Sequence, residues 1–283
     1  TFDGKKSILL DKWPQYQEIL VNEEIEESFD IMKDIVSISS AARMKGKLKR
    51  RWPLAEALIC VSKGQKQKLE SLSPLLMSQL NVEKFTVFET EKDSGLEQVL
   101  ELKQLNLPFR SVVELERKRI GPKAKQHMIK LVNVFSETNK EEIISSLQKE
   151  GQYNYEIDGE KISLDKEDFI VDFDASEEFA VSKRDNYIVF ISTLRNKEMM
   201  ARGLIKDVAR RLQTLRKERG YNPTDILNVA SILDLDEESL EMIKEKSEDL
   251  AFLVRVKQVN FTESCKEYKD DDIDGQKIRI SVE

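Results

Sequence analysis

The segment 197–219 constrains the fold of this chain more than any other, because one helical pattern runs through it without interruption. Apolar side chains recur every three or four residues, at Met200, Leu204, Val208, Leu212 and Leu215. At about 100° of rotation per residue, this spacing puts them on one side of a helix. Gly220 follows, and glycine commonly ends a helix. The pattern predicts a long helix with one face packed on a sheet.

The opposite side of this predicted helix is strongly cationic. It carries Arg202, Lys206, Arg210, Gln213 and Lys217. Guanidinium and ammonium groups held on a rigid helix are well suited to bind phosphate. The candidate RNA contacts on this helix are Arg210, Arg211, Arg216 and Lys217. The pattern alone favours an ordinary solvated face, on which Asp207 and Glu218 balance part of the charge.

A second cationic segment follows a long predicted helix near the start of the chain. It places six cations in nine residues and ends on a tryptophan: Arg43, Lys45, Lys47, Lys49, Arg50, Arg51 and Trp52. The chain has a formal net charge of −7, so this run is a local reversal of sign. Such cations can bind phosphates with a steep salt dependence, and the indole offers a face to an unstacked base. Alternatively, the cations complement the helix dipole and Trp52 anchors the chain.

The first half of the sequence predicts a β-α-β unit behind that long helix. Asn22 can cap the long helix, and Pro74 bends or interrupts the helix of the unit. Thr138 and Glu141 have the spacing of a capping box. The predicted elements are a helix at 23–43, a strand at 57–61, a helix at 65–80, a strand at 83–88 and helices at 122–135 and 140–150.

The second half predicts hairpins and a mixed α+β arrangement. Asp158-Gly159 supplies a tight turn between strands at 153–157 and 160–164. A second hairpin is predicted at 179–191, with its turn at 183–186. After the cationic helix come a strand at 226–233, a helix starting near Asp236 and a strand at 277–282. The composition and pattern place domain boundaries near 53 and near 150.

The sequence offers no enzyme chemistry that can be recognised from its residues. His127 is the single histidine, so the usual Ser-His-Asp, Cys-His and HExxH constellations cannot be built. Cys60 and Cys265 lie far apart, which indicates a reducing compartment and gives no cysteine-based zinc site. The aspartates at 270–274 resemble the start of a calcium loop without its glutamate, so a solvated acidic turn is expected there. No apolar run is long enough to span a membrane.

The stretch 203–225 resembles the C-terminal domain of isoleucyl-tRNA synthetases, which are class I aminoacyl-tRNA synthetases. The family pattern of Gly-Leu, Arg-Arg, Gln, Leu-Arg-Lys-Glu, Gly and Asp is matched by Gly203-Leu204, Arg210-Arg211, Gln213, 215–218, Gly220 and Asp225. Trp13-Pro14, 51–54 and 80–83 resemble three further family motifs in the same order. Lys206-Asp207 departs from the expected Arg-Glu. The lack of a cysteine-rich tail indicates the archaeal or eukaryotic type.

The resemblance implies the end of a helical anticodon-binding bundle at 1–52, a small α/β linker domain at 53–150 and a C-terminal α+β domain at 151–283. The His-x-Gly-His and Lys-Met-Ser-Lys-Ser motifs of the family's catalytic core are absent from the sequence. A non-catalytic fragment of a cytoplasmic isoleucine–tRNA ligase is therefore expected, which itself holds no cofactor or metal.

In the parent enzyme, ATP and Mg²⁺ would serve the catalytic core. The expected partners of the fragment are tRNA and the parent's catalytic and editing domains, with no membrane. Three alternatives stay open. The chain could be a stand-alone RNA-binding relative or a protein-docking module, and the parent could be of the valine type.

Overall fold

The computed structural model describes Trp13, Gln15, residues 17–273 and residues 275–283. It confirms the predicted α+β class with small sheets, hairpins and one long amphipathic helix. Pro14 of the Trp13-Pro14 pair and Asp274 of the acidic run lie outside the described residues. In the part of the chain that is described, no helix is long and apolar enough to cross a membrane.

Residues 23–90 form a β-α-β unit preceded by a long helix, as predicted. The elements are α1 (Glu23–Lys45), β1 (Leu54–Ser62), α2 (Lys66–Ser71), α3 (Ser73–Leu80) and β2 (Val82–Thr90). Asn22 caps α1, because its side chain accepts a hydrogen bond from the Ile25 backbone amide at 3.0 Å. Pro74 lies in the first turn of α3, where a missing N–H is tolerated. The predicted single helix is therefore split in two.

The next segment differs more from the prediction. Its elements are α4 (Gly95–Gln104), β3 (Phe109–Leu115), α5 (Arg117–Ala124), α6 (Met128–Glu137) and α7 (Lys140–Glu150). The predicted helix at 122–135 is divided between α5 and α6, because the chain breaks at Lys125, whose φ is 44°. The predicted capping box is wrong. Asn139 caps α7 instead, accepting a hydrogen bond from the Glu141 backbone amide at 2.9 Å.

Five strands follow, and both predicted hairpins are confirmed. The strands are β4 (Gln152–Ile157), β5 (Glu160–Asp165), β6 (Phe169–Ala175), β7 (Phe179–Arg184) and β8 (Tyr187–Ser192). Asp158 and Gly159 both have positive φ, at 56° and 80°, as the tight turn between β4 and β5 requires. Strand β6 was not predicted, and it pairs antiparallel with β3.

One sheet joins segments that are far apart in the sequence. Its strand order is β2-β1-β8-β7, with β1 parallel to β2 and antiparallel to β8. Helix α1 packs on one face of this sheet, where Ile35, Ile59 and Val189 share a core. The other face carries Cys60 and Phe190 into a second core. The predicted boundaries near 53 and 150 therefore do not separate cores, because the sheet and its helix cross both.

Residues 197–283 form a further unit with its own core. Its elements are α8 (Lys197–Glu218), β9 (Leu227–Leu233), α9 (Glu237–Glu245), α10 (Ser247–Val254), β10 (Val256–Asn260), β11 (Lys269–Ile273) and β12 (Gln276–Val282). The sheet order is β10-β9-β12-β11. Leu204, Val208 and Leu212 of α8 lie in this core, which confirms the predicted apolar stripe. The aspartates 270–272 belong to edge strand β11 and not to a turn.

Candidate nucleic-acid interface

The turn between α1 and β1 docks on α8 through a tryptophan and a glycine. Trp52 is only 8% exposed, and its ring lies against the backbone of Gly203. A Cβ at position 203 would lie 2.5 Å from Trp52 Cδ2 and 2.8 Å from Cγ, closer than real Cβ atoms come. Residue 203 must therefore be glycine for the indole to fit. This contact joins the first cationic segment to the second.

Asp207, one helical turn after Gly203, holds the same junction by hydrogen bonds. Its Oδ2 accepts from Trp52 Nε1 at 2.9 Å and from Lys49 Nζ at 2.8 Å. Arg51 Nη1 lies 3.7 Å from its Oδ1. Burial alone would raise the pKa of this carboxyl. The hydrogen bonds from Lys49 and Trp52 outweigh burial and lower the pKa of Asp207 below its usual value.

The indole of Trp52 is not open to an RNA base in this structure. One cation, Lys49 Nζ, lies 5.4 Å from the ring centroid, and the Arg195 guanidinium carbon lies 4.9 Å from it. Gly203 touches the ring as well. The predicted stacking role of Trp52 is therefore corrected, and the residue serves as the anchor of the junction.

Arg43 is buried beneath the junction, and its guanidinium donates hydrogen bonds to backbone carbonyls. It is 4% exposed. It donates to the carbonyl oxygens of Lys49 (2.9 Å), Trp52 (3.0 Å), Leu80 (2.8 Å) and Asn81 (3.2 Å). Burial and the charge of Arg50 lower the pKa of Arg43 to about 10. Arg43 is thus unavailable to RNA, which corrects its prediction as a contact.

Arg216 plays the same structural part at the other end of α8. It is 5% exposed and donates to four backbone carbonyls, those of Val254, Arg255 (3.0 Å), Asn222 (3.3 Å) and Asp225 (2.7 Å). These carbonyls lie at the end of α10 and in the loop after α8, and those of Arg255 and Asn222 also accept backbone amides, from Leu227 and Asp225. Arg216 is therefore also removed from the predicted contacts.

Arg211 is partly engaged in the same way. Its Nε donates to the Asp272 carbonyl at 2.8 Å, and its Nη1 donates to the Asp207 carbonyl at 3.1 Å. Asp271 Oδ1 lies 3.3 Å from Nε. The guanidinium thus joins α8 to the end of β11. Its N–H groups donate to these carbonyls, and Asp271 offsets its charge, so Arg211 is a weaker candidate for binding a ligand.

The remaining predicted cations face solvent. Among the described residues, their side chains have no hydrogen-bond or ion-pair partner: Lys45, Lys47, Arg50, Arg210 and Lys217. Lys206 also faces solvent, although it was not among the predicted RNA contacts. Its position on the cationic side of α8 could have predicted it as a contact. Burial and the nearby charges of Arg202 and Arg43 lower the pKa of Lys206, which shows how closely cations crowd there.

We define the junction surface as Lys47, Arg50, Lys206 and Arg210. Arg50 and Lys206 both lie close enough to Arg43 for their charges to interact with it. Lys206 and Arg210 are one turn apart on α8 and so are neighbours on its surface. The Trp52–Gly203 contact fixes the turn against the helix. Cations from two distant parts of the sequence are therefore held on one surface.

Comparison with known proteins places this surface in a functional context. A family described as the anticodon-binding domain of tRNA ligase matches residues 1–59, which include α1 and the first cationic segment. The first 59 residues are thus similar to the anticodon-binding domain of tRNA ligases.

Several curated isoleucine–tRNA ligases align over most of the chain. The isoleucine–tRNA ligase of Pyrococcus furiosus is 26% identical over 93% of this chain and 22% of its own length. That of Saccharolobus solfataricus is 26% identical over 99% of this chain and 27% of its own length. That of Bacteroides fragilis is 26% identical over 79% of this chain and 18% of its own length. The chain spans about a quarter or less of these relatives.

The chain is related to the C-terminal region of isoleucyl-tRNA synthetases, as the 203–225 motif predicted. These relatives are ligases, and the family that matches residues 1–59 is an anticodon-binding one. Whether it is of the archaeal or eukaryotic type stays a prediction.

Proposed function

We propose that this chain is the C-terminal tRNA-binding part of an isoleucine–tRNA ligase and that it binds the anticodon arm of tRNA through the junction surface. The observation that carries the proposal is the set of solvent-facing cations at the end of an anticodon-binding domain. They have no acidic partners among the described residues, in a chain whose net charge is −7. Lysine and arginine side chains that contact phosphates release the counterions condensed on the nucleic acid, and this release favours binding.

The helix adds reach to this surface. From Lys206 to Lys217, the outer face of α8 extends about 17 Å at 1.5 Å per residue. Such a stripe can follow several consecutive phosphates, and Lys217 lies at its far end. Lys49 and Arg51 contribute less charge to a ligand, because both already face the carboxylate of Asp207.

A titration of tRNA against the chain at several salt concentrations tests this proposal. The variants are Lys47→Ala/Arg50→Ala and Lys206→Ala/Arg210→Ala, which remove cations that the fold does not use. Each lost phosphate contact should reduce the slope of log affinity against log salt by about one unit. The control Lys149→Ala/Lys161→Ala removes two exposed cations of α7 and β5 and should leave the slope unchanged. Equal slopes for all proteins would refute the proposal.

The parent enzyme would supply the chemistry. Its catalytic core would use ATP and Mg²⁺ to activate isoleucine, and its editing domain would precede the present region. Within the described residues, no group of three or more His, Cys, Asp or Glu side chains could hold a metal ion. The proposed setting is the cytoplasm, where tRNA is charged.

Helix α1 offers the surface by which the rest of the anticodon-binding domain would attach. Ile25 and Phe29, one turn apart, are 50% and 41% exposed, and Ile19 is 91% exposed. Apolar side chains at this spacing form a stripe that packs well on another helix. We propose that preceding helices of the parent's anticodon-binding domain cover this stripe. A longer fragment that includes those helices should protect the amides of α1 from hydrogen exchange more strongly than the present chain does.

A further inference from the structure

A cleft of ≈ 470 Å³ lies where α8 ends, beside the loop that follows it and the end of α10. The residues that line it are Gln213, Arg216, Lys217, Tyr221, Asn222, Pro223, Leu253, Val254 and Arg255. The volume is in the range of small-ligand sites. The cleft begins at Gln213, less than one turn beyond Arg210 on α8, so it continues the junction surface along the same helix.

The charge of this cleft is unusual for an acidic protein. Three of its lining residues are cations and none of those described is a carboxylate. Lys217 and Arg255 are exposed, and neither side chain has an acidic partner among the described residues. The Arg216 guanidinium lies beneath, and its partners are neutral carbonyls that do not cancel its charge. The cleft therefore presents a positive potential to any ligand.

A second cleft of similar size, ≈ 500 Å³, provides a contrast on the same unit. It is lined by Asp234, Asp270, Asp271 and Asp272 around Lys277 and Arg279. There Arg279 is neutralised by an ion pair, with its Nε 2.6 Å from Asp234 Oδ2. The lack of carboxylates at the first cleft is thus a local property and does not reflect the composition of the unit.

The uncharged side chains of the first cleft suit a nucleobase. Tyr221 lies at its wall, half-buried against the core of the unit. Gln213 is held by a hydrogen bond from its Nε2 to the Leu253 carbonyl at 2.9 Å, and Asn222 adds a second amide. Amide side chains pair with base edges, and aromatic rings stack on base faces. Leu253 is 39% exposed and Phe252, next to it, is 83% exposed.

We propose that this cleft binds one nucleotide of single-stranded RNA, with the base on Tyr221 and the phosphate between Lys217 and Arg255. The inference deepens the proposed function, on which it rests, by assigning an unpaired segment of the tRNA to this end of α8. A paired nucleotide cannot enter, because its faces are covered by the neighbouring base pairs. A wholly electrostatic site would not need the tyrosine or the two amides.

Photo-crosslinking with a short single-stranded RNA that contains 4-thiouridine tests the cleft. The crosslink is expected in the peptide that contains Tyr221, and unlabelled single strand should compete while a blunt duplex of the same sequence should not. Lys217→Ala/Arg255→Gln should lower the crosslink yield at least fivefold. The control Lys277→Ala removes one exposed cation from the acidic cleft and should leave the yield unchanged.

Several results would overturn the inference. These are a crosslink outside the cleft, an unchanged yield in the Lys217→Ala/Arg255→Gln variant, and equal competition by duplex RNA or by polyglutamate, which would indicate a simple anion site. Circular dichroism of each variant confirms that it is folded. Titration with whole tRNA separates this inference from the proposed function. Normal tRNA binding that depends on Lys47 and Arg50 but not on the cleft would refute the cleft alone, whereas absent tRNA binding would refute the function.

Discussion

Gly203→Ala is expected to destabilise this protein, although alanine is normally the better residue inside a helix. Gly203 lies within α8, and its φ is not positive, so the backbone itself accepts alanine. In an exposed helix, the change stabilises by about 1 kcal/mol. The obstacle here is Trp52, since a methyl group at 203 would lie 2.5, 2.8 and 2.9 Å from three of its ring atoms.

The expected loss of stability follows from the contacts that the Trp52 indole would lose or strain. Overpacking of a closed contact costs about 1–3 kcal/mol. Movement of the ring would also remove the hydrogen bond from Trp52 Nε1 to the buried Asp207 carboxylate, and hydrogen bonds to charged groups contribute about 1.5–3 kcal/mol. After the gain of about 1 kcal/mol in helix propensity, we expect a net loss of about 2–4 kcal/mol.

Urea unfolding, followed by circular dichroism, measures this loss in a double-mutant cycle with Trp52→Ala. Without the indole, alanine at 203 has room and should be neutral or stabilising by about 1 kcal/mol. A higher urea midpoint in Gly203→Ala would contradict the expected clash with Trp52. So would an equal loss of stability with and without Trp52.

Three further predictions test the assignment of individual side chains. Arg216→Gln should destabilise the protein by about 3 kcal/mol or more, because several carbonyls lose their donor. Lys217→Gln, at a solvent-facing position, should change the free energy of unfolding by less than about 0.5 kcal/mol. Urea unfolding of the two variants measures the difference. Asp207 has a lowered pKa, so it stabilises the fold above its ordinary pKa of 3.8 and that stability is lost as pH falls through the lower folded value. Asp207→Asn should therefore be less stable at pH 7 by about 1–3 kcal/mol, and the gap should close in acid unfolding. Burial raises the pKa of the Cys60 thiol to about 12, so Ellman's reagent at pH 8 should react with Cys265 in the native protein and with both thiols after denaturation.

Local chemistry made much of the fold predictable. The apolar repeat of α8, the Asn22 cap and the Asp158-Gly159 turn each depend on residues within a few positions of one another. Such signals determine where a helix or hairpin begins and ends. They were confirmed wherever the pattern was regular.

The arrangement of the strands was not predictable in the same way. Pairing of Ala57 with Ile191 and of Val113 with Val171 brings together residues that are far apart in the sequence. Each strand alone looks like a short apolar run, and no local feature names its partner. The predicted domain boundaries failed for this reason.

The candidate site was partly predictable, and the signal that separates its residues was in the helical pattern. Arg216 lies four residues after Leu212, on the apolar side of α8, and is buried. Arg43 similarly lies four residues after the buried Ser39 on α1. Positions on a buried stripe predict a cation that serves the fold, whereas Lys206 and Arg210 lie off it. Which carbonyls receive a buried guanidinium depends on the tertiary structure and could not be predicted.

The motif that suggested a tRNA synthetase therefore combines two kinds of residue. Gly203 and Arg216 are structural, because Gly203 packs against the ring of Trp52 and Arg216 donates to loop carbonyls. Arg210 and Lys217 face solvent. Binding of a rigid RNA depends on the relative positions of its contacts, because flexible contacts lose more entropy when they are fixed. Breaking the anchor should thus weaken tRNA binding without removing any cation. We expect Trp52→Ala/Gly203→Ala to bind tRNA more weakly than the unaltered chain while keeping most of its salt dependence; an unchanged affinity would mean that the two cationic segments act independently.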